Sequence, residues 1–227
     1  ISYHTIEAFD VSLGSGGNTF TINSTPTALF GPAVVNSGIG ADVVNINDVS
    51  NGLVVNGHSS IDVINLNNTG VGSTTTLNGG DGNDIVNVRA MSGVVIVNGG
   101  AGDDTVNVGS KASGIESLPN RNAGGNLNAI DVLLTVNGDA STGRDVLNVD
   151  STGNSAANTG TLNPTTITGL NLSPSGITYG GFEALNISMG SGNDLFTIAN
   201  TAPGAGVETT LNAGGGIDTV NVLTTQS

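Results

Sequence analysis

Aspartate recurs in this sequence at a regular spacing beside glycine and asparagine, and carboxylates placed in this way can bind cations or close turns. The recurring acids are Asp42, Asp62, Asp84, Asp104, Asp145, Asp194 and Asp218. Carboxylate and carbonyl oxygens are the ligands that hard divalent cations prefer. Asp and Asn side chains also close turns by bonding to their own backbone two residues on, which needs no metal. Both interpretations are open from residue type and spacing alone.

Each aspartate lies in a repeated unit that reads hydrophobic, Asn, two small residues, x, Gly, x, Asp, x, hydrophobic, Asn, hydrophobic. Clear copies begin at Val35, Val55, Leu77, Val97 and Leu211, and looser copies begin at Val11, Val136 and Ile187. Asn18 takes the place of the acid in the first copy. A longer repeat is also present, because residues 1–51 align without a gap with residues 177–227 and 18 of the 51 positions are identical. We predict one domain, 1–227, built from a 176-residue super-repeat and the first 51 residues of the next.

The elements that position these acids are predicted to be short strands. Apolar residues alternate within each unit, as in Val86 and Val88 or Val106 and Val108, and helical spacing is absent. Short strands, Gly-rich turns and a period near 22 residues predict an all-β fold, a parallel β-solenoid of about ten coils with Gly/Asn/Asp-rich turns. We expect residues 109–128 to form either a further coil or a loop thrown out from the rod. Residues 151–180 lack the Asp turn and are expected to form a coil with a simpler corner.

Composition and charge disfavour several classes of function. The chain has 36 Gly, 3% aromatic residues and no Cys, which suits a thin core of Val, Ile and Leu. Its formal charge of −14, with only 4 Lys and Arg, disfavours binding to nucleic acid and to anionic membranes. No apolar run approaches the roughly 20 residues of a membrane helix, so we expect no membrane insertion. The first residues, ISYHTIEAF, do not resemble a signal peptide, which suggests a processed chain or an excerpt of a longer one.

Two stretches carry a family resemblance. Residues 79–87 (GGDGNDIVN) and 99–107 (GGAGDDTVN) fit the pattern G-G-x-G-x-D-x-U-x and resemble the nonapeptides of the repeats-in-toxin (RTX) family. That resemblance implies calcium in the turns between coils, held by Asp carboxylates and backbone carbonyls. The implied ligands are Asp84 and Asp104 with the carbonyls of Gly79, Gly80, Gly82, Gly99, Gly100 and Gly102, and by weaker matches Asp42, Asp62, Asp145, Asp194 and Asp218. Unlike the family, this chain has one nonapeptide per unit, so calcium would line one edge of the rod.

Repulsion between the acids favours turns that hold cations, whereas stacking of asparagines favours coils that need no metal. Acids on consecutive coils about 4.8 Å apart would repel by roughly 0.9 kcal/mol in water and about 3.5 kcal/mol at an effective dielectric of 20, and cations would relieve this repulsion. The asparagines that recur within the strands could instead stack as an amide ladder that stabilises the coils without metal. That series is Asn45, Asn65, Asn87, Asn107, Asn148 and Asn221.

Catalytic chemistry is sparse. His4 and His58 are far apart in the chain, and His58 replaces a turn glycine. Arg89 and Arg144 are isolated candidates for a calcium-dependent polysaccharide lyase or epimerase, and the threonines do not form the regular series of an ice-binding face. Tyr3, Tyr179, Phe9, Phe20 and Phe196 are expected to be core residues of the end coils rather than a sugar-stacking platform.

We therefore expect a non-enzymatic, calcium-stabilised structural protein that is extracellular or on the cell surface. It would act as a filament or matrix subunit or as a repetitive stalk, and an adhesin that binds glycans or surfaces is the alternative. Neither end of the sequence carries a helical or charged cap, which leaves strand edges open. We expect these edges to join further repeats or other copies head to tail.

Overall fold

The computed structural model describes residues 8–27, 30–139, 143–204 and 206–224, and all of its regular structure is β. The strands are β1 (Asp10–Ser12), β2 (Thr19–Ile22), β3 (Ala33–Asn36), β4 (Val43–Ile46), β5 (Gly52–Ser59), β6 (Val63–Leu66), β7 (Thr74–Asp81), β8 (Ile85–Val88), β9 (Val94–Ala101), β10 (Thr105–Val108), β11 (Leu134–Asn137), β12 (Val146–Asp150), β13 (Thr159–Asn163), β14 (Thr166–Gly169), β15 (Ile177–Gly180), β16 (Ala184–Ser188), β17 (Leu195–Ile198), β18 (Glu208–Asn212) and β19 (Thr219–Val222). Within these ranges nothing forms a helix long and apolar enough to cross a membrane.

The strands form two sheets, and the chain passes from one to the other. An eleven-stranded sheet has the order β1-β3-β5-β7-β9-β11-β15-β14-β13-β17-β19, and an eight-stranded sheet has the order β18-β16-β12-β10-β8-β6-β4-β2. Most strands pair in parallel with the strand reached one circuit earlier, for example β8 with β6 and β10 with β8. We call one strand in each sheet, taken together, a coil, and the stack of coils the rod. The prediction of an all-β fold with parallel pairing is confirmed.

The core lies between the two sheets and follows from the alternation in the sequence. Leu77, Val97 and Val136 have no exposed surface, whereas Asn78 and Asn98 beside them face outwards and are only half-buried. Burying each Val or Leu contributes roughly 1.5–3 kcal/mol.

The aromatic residues join the same core. Phe196 and Tyr179 are buried, and Phe9 and Phe20 pack against the core while partly exposed. Tyr3 lies outside the described residues.

Residues 109–128 leave the stack and cover the outer face of the eight-stranded sheet. The side chain of Asn107 donates to the carbonyl of Pro119 at 2.8 Å, and the backbone N–H of Gly114 donates to Asn87 Oδ1 at 2.8 Å. Leu127 and Ile130 then return to the core. Of the two predicted forms, the segment is the loop rather than a further coil.

Residues 151–180 do not form the simple corner that the sequence suggested. β13, β14 and β15 pair antiparallel within the eleven-stranded sheet, so this sheet gains strands that have no counterpart in the other. The β13–β14 turn follows Asn163 and contains Pro164, whose fixed φ suits a tight turn. This Asn-Pro pair is the signal in the sequence that could have indicated a hairpin, and the sequence analysis did not use it.

The two copies of the 51-residue repeat lie on opposite sheets. β2 and β4 belong to the eight-stranded sheet, whereas their equivalents 176 residues later, β17 and β19, belong to the eleven-stranded sheet. The local pairing is nevertheless the same, since Thr19 pairs with Val43 and Leu195 pairs with Thr219. The second copy is therefore turned half a circuit about the rod axis relative to the first.

Neighbouring coils are in close backbone contact at Gly80. Its φ is +118°, and an added Cβ would lie well under 3.0 Å from the backbone of His58 on the adjacent coil. Replacing Gly80 by Ala is expected to lower the free energy of unfolding by roughly 1–3 kcal/mol, because the backbone conformation is strained and the coils must move apart. Denaturant unfolding measures the loss.

The matched control is Gly180→Ala, because an added Cβ there meets nothing within 4 Å. This variant should change stability by less than about 0.5 kcal/mol. Equal losses in the two variants would contradict the close approach of the coils at Gly80.

Candidate metal centre

The recurring aspartates each lie directly before a strand, at a corner where the chain changes sheets. Asp42, Asp62, Asp84, Asp104 and Asp145 precede strands of the eight-stranded sheet. Asp194 and Asp218 precede β17 and β19 of the eleven-stranded sheet and so lie on the opposite edge. The prediction that all seven acids line one edge is wrong, because the second copy of the repeat is turned half a circuit.

On the first edge the carboxylates form what we call the Asp ladder. The backbone N–H of each acid donates to Oδ1 of the acid on the next coil. These bonds are Asp42 to Asp62 at 2.8 Å, Asp62 to Asp84 at 2.7 Å, Asp84 to Asp104 at 2.8 Å and Asp104 to Asp145 at 2.8 Å. Asn18 begins the series by donating to Asp42, and Glu183 ends it by accepting from Asp145. One oxygen of each carboxylate therefore links two coils without a metal.

The opposite edge repeats this arrangement on a smaller scale. The backbone N–H of Asn158 donates to Asp194 Oδ1 at 2.7 Å, and that of Asp194 donates to Asp218 Oδ1 at 2.9 Å. Asn158 takes the position that Asn18 takes on the first edge. Sequence reasoning had not identified Asn158 or Glu183 as members of these series, because neither lies in a copy of the repeated unit.

The second oxygen of these carboxylates is buried and has no hydrogen-bond partner. This holds for Oδ2 of Asp42, Asp62, Asp84, Asp104 and Asp194. Leaving a buried charged oxygen unpaired is costly, typically more than the 1–3 kcal/mol of a neutral group. Each such oxygen would be stabilised by a proton or by a cation.

Glycine makes room for this second oxygen. A Cβ on Gly79 would lie well under 3.0 Å from both Asp84 Oδ2 and the carbonyl oxygen of Gly99 on the next coil. Gly57 faces Asp62 Oδ2 and the carbonyl oxygen of Gly79 in the same way. One carboxylate oxygen and one carbonyl oxygen thus converge beside each of these glycines.

The remaining glycines of the predicted ligand set are placed by close packing between coils. Gly80 and Gly100 are paired in register in β7 and β9. The carbonyl oxygens of Gly80 and Gly82 point to the positions where Gly100 and Gly102 would carry a Cβ. Their carbonyls are therefore directed along the rod, from one coil to the next.

Burial dominates the electrostatics of the Asp ladder. It raises the pKa of Asp62, Asp84 and Asp104 to about 7, and repulsion from neighbouring aspartates adds to the rise while the backbone N–H donors oppose it. Burial also raises the pKa of Asp145. Close to neutral pH the carboxylates of Asp62, Asp84 and Asp104 therefore exchange between a protonated and a charged form.

The predicted amide ladder is present on the eight-stranded sheet. The side-chain amide of each asparagine donates to Oδ1 of the preceding one at 2.9–3.0 Å along the series Asn45, Asn65, Asn87, Asn107, Asn148 and Asn186. Asn221 does not belong to it, because β19 lies in the other sheet, and Asn186 takes its place. A further series on the eleven-stranded sheet joins Asn36, Asn56, Asn78, Asn98 and Asn137.

The described candidate catalytic residues make contacts within the fold. Arg89 donates to the carbonyl of Ala112 and to the side chains of Asn65 and Asn67, and burial lowers its pKa. Arg144 forms an exposed ion pair with Glu208 at 2.8 Å. His58 lies near the end of β5, where it has a φ of 74° and pairs in register with Gly80. His4 lies outside the described residues.

The oxygen atoms beside the Asp ladder are of types that bind calcium, but few acidic side chains lie close together there. In the ranges that the structure describes, no three His, Cys, Asp or Glu side chains are grouped closely enough to hold a metal ion. The donors beside Gly57 and Gly79 are one carboxylate oxygen and one carbonyl oxygen each, which are the ligand types that calcium prefers. Asp62, Asp84, Gly79 and Gly99 would hold such an ion, and its positive charge would neutralise the buried carboxylates.

Comparison of this chain with protein-family models, with curated proteins and with solved structures gives no significant match.

The raised pKa values predict how stability depends on pH in the absence of calcium. An acid whose pKa rises from 3.8 in the unfolded chain to about 7 in the fold contributes stability below pH 3.8 and loses it as the pH rises through 7. The melting temperature should therefore be lower at pH 8 than at pH 5 when measured by calorimetry with a chelator present.

Two variants of Asp84 separate the roles of its oxygens. Asp84→Asn keeps an acceptor for the N–H of Asp62 and removes the charge, so the loss between pH 5 and pH 8 should shrink. Asp84→Ala removes the acceptor as well and should cost about 1–3 kcal/mol at both pH values. An unchanged pH dependence in Asp84→Asn would contradict the charge argument.

Proposed function

We propose that this chain is a non-enzymatic, calcium-stabilised β-solenoid that acts as a subunit of an extracellular filament or matrix, or as a repetitive stalk of a surface protein. In this interpretation each coil contributes one strand to the eight-stranded sheet, which gives eight coils in the described residues rather than ten. Hydrogen bonds between coils, in the strands, the Asp ladder and the amide series, give the rod its length and stiffness.

The observation that carries this proposal is that the outermost described strands of the eleven-stranded sheet, β1 and β19, lie beside apolar side chains that are exposed or partly exposed. At one end Val222 of β19 is 58% exposed and Leu223 beyond it is 67% exposed. At the other end Phe9, Phe20 and Ile22 line a cavity of about 120 Å³. Edge strands next to exposed apolar side chains favour the addition of further strands, which is the property that a filament or a stalk requires.

The use of the polar side chains supports a structural role over catalysis. The buried aspartates and asparagines are occupied in bonds from coil to coil, and Arg89 bonds to Asn65 of the amide ladder and to Asn67. A lyase or epimerase would need its basic residue free to reach substrate, whereas the guanidinium of Arg89 is half-buried beneath the loop that contains Ala112.

The unpaired Oδ2 atoms support the calcium part of the proposal. Each needs a positive partner, and the nearby carbonyl oxygens are ligands of the same hard type. With few protein ligands per ion, binding would be weak, in the range of roughly 10⁻⁴–10⁻³ M that is usual for extracellular modules. This range is the reason for proposing an extracellular or cell-surface location.

An adhesive role is the second candidate, and the outer face of the eleven-stranded sheet favours it. Thr135 pairs with Thr178, and Thr161 pairs with Thr197, so half-buried threonines lie side by side on neighbouring strands. Hydroxyl groups repeated along a flat sheet could bind a polymer such as a glycan. Saturable binding of a polysaccharide without turnover, lost when these threonines are replaced by valine, would favour this candidate.

Calcium is expected to stabilise the folded chain at pH 8. Millimolar calcium should raise the melting temperature by several degrees over a sample with chelator, since roughly 1 kcal/mol corresponds to 2–4 °C for a domain of this size. The double variant Asp84→Asn/Asp104→Asn should lose a large part of this rise.

The matched control for the calcium experiment is Asp131→Asn, because Asp131 is exposed and lies outside the Asp ladder. It should keep the full response. No shift with calcium in the unsubstituted chain would overturn the calcium proposal and would leave a proton as the partner of Oδ2.

Assembly is expected from the open ends. The purified chain should form linear oligomers whose mean length grows with protein concentration, as measured by light scattering and electron microscopy. A monodisperse monomer at all concentrations would contradict a filament subunit.

A further inference from the structure

The outer faces of the two sheets differ in what covers them. Residues 109–128 lie over the middle strands of the eight-stranded sheet, so Asn87 and Asn107 have no exposed surface. On the eleven-stranded sheet Asn78 and Asn98 take the equivalent outward positions and are only half-buried. We call their series the bare ladder, and its members are Asn36, Asn56, Asn78, Asn98 and Asn137.

Asn87 shows what a covered amide in such a series can bind. A side-chain amide can donate two hydrogen bonds and accept two. Along its own ladder Asn87 donates to Asn65 and accepts from Asn107. It also donates to the carbonyl of Gly114 at 2.9 Å and accepts from the backbone N–H of Gly114 at 2.8 Å. All four hydrogen bonds of this amide are therefore made.

The amides of the bare ladder make fewer hydrogen bonds. Asn78 donates to Asn56 and accepts from Asn98, and Asn98 accepts in turn from Asn137. Among the described residues, no other group bonds to the side chains of Asn78 and Asn98. Each of these amides thus presents one further N–H and one further acceptor position on the outer face of the sheet.

The spacing of these groups indicates what could bind them. They repeat at the distance between neighbouring strands, about 4.8 Å, whereas a single extended peptide laid along the row repeats about every 3.3 Å. The bonds of 2.7–2.9 Å between successive amides hold the row straight, as side-chain ladders do in flat sheets. Only another stack of strands has the same repeat, and asparagine ladders interdigitate between paired sheets of this kind. A second copy of this chain supplies such a stack.

A column of short branched side chains lies beside the bare ladder. Strand pairing joins neighbouring members of this column, and all of them are half-buried. They are Val34, Val54, Thr76, Ile96, Thr135 and Thr178. Side chains of similar size and shape on successive strands give an even surface, and its Val and Ile members would be removed from water by a facing sheet.

The charge distribution favours this face for contact between copies. The chain carries a formal charge of −14, so two copies repel each other at most orientations. The ten strands of the eleven-stranded sheet from β3 to β19 contain one charged residue, Asp81, which ends β7 at a corner. The carboxylates of the Asp ladder also lie at corners. Packing these sheets together therefore brings uncharged surfaces into contact and leaves the acids at the sides.

The face is large enough for a stable contact. Ten strands about 4.8 Å apart extend over about 48 Å, and four residues of each strand extend over about 13 Å. The face therefore covers about 600 Å² on each copy and about 1,200 Å² on two, which is the lower end of the range for specific protein interfaces.

We propose that two copies of this chain pack side by side, with the outer faces of their eleven-stranded sheets together and their rod axes aligned, so that the two bare ladders interdigitate. This lateral contact goes beyond the end-to-end assembly of the proposed function, and it makes the filament two rods wide. Salt should strengthen the pairing, because it screens the remaining repulsion between the acids of the two copies.

Substitution by lysine at the centre of the face tests the pairing. Thr76→Lys/Thr135→Lys would bury ammonium groups without partners between the two sheets. The matched control is Thr21→Lys/Thr210→Lys, which makes the same change in net charge at exposed, outward-facing threonines of the eight-stranded sheet. Melting curves check that both variants fold.

Small-angle X-ray scattering in 0.15 M salt gives the mass per unit length, which counts the rods lying side by side whatever their length. We expect two chains per cross-section for the unsubstituted chain and for the control. The variant Thr76→Lys/Thr135→Lys should have one chain per cross-section, also at a tenfold higher protein concentration.

The measurement on the unsubstituted chain needs no variant and separates the pairing from the filament proposal. Rods one chain wide that lengthen with concentration would overturn the pairing and leave the filament subunit standing. Pairs that do not lengthen would support the pairing and contradict the filament subunit. Monomers at all concentrations would overturn both.

The variants decide whether the assigned face makes the contact. Pairs that persist in Thr76→Lys/Thr135→Lys would overturn its assignment to the outer face of the eleven-stranded sheet. Single rods that bind a neutral polysaccharide, with this binding lost in the same variant, would overturn the pairing in favour of the adhesive role.

Discussion

The structure depends on one constraint, which is that each coil must stay in register with the next. With a thin core and few large side chains, lateral packing alone would permit a coil to slip. A slip of one residue would turn every apolar side chain outwards. The bond from a backbone N–H to the carboxylate of the next coil fixes this register at the corner, as between Asp84 and Asp104. The asparagine series fix it along the strands, as between Asn87 and Asn107.

The same constraint explains the glycines and the acidity. The acid can reach the N–H of the neighbouring coil only if the chain passes very close to it, and Gly79 leaves room for the second carboxylate oxygen. Burying that oxygen raises the pKa of Asp84 to about 7, so the register bond introduces a charge that the fold must neutralise. A proton at low pH and a cation at high pH are two solutions to the same electrostatic problem. The chain has only 4 Lys and Arg that could supply a positive partner instead.

The half-turn between the repeats changes which edge of the rod the acids occupy. The antiparallel strands β13, β14 and β15 add to one sheet only, and the second repeat starts on the opposite face of the rod. One consequence is that the acids lie on two edges, which spreads their charge.

The strands, the period and the positions of the turn acids could be predicted from the sequence, because alternation at period two and Gly-Asp turns are local properties of the chain. The sequence also indicated that Asn65, Asn87 and Asn107 could stack, since equal spacing in equal coils places equal residues together. That Asp194 and Asp218 face the opposite edge could not be predicted, because it depends on the chain changing sheets an odd number of times in 176 residues, and the spacing of the repeated units does not show this number. The hydrogen-bond partner of each carboxylate oxygen could not be predicted from the sequence either. They depend on the distance between neighbouring coils, which the backbone pairing of the two sheets sets.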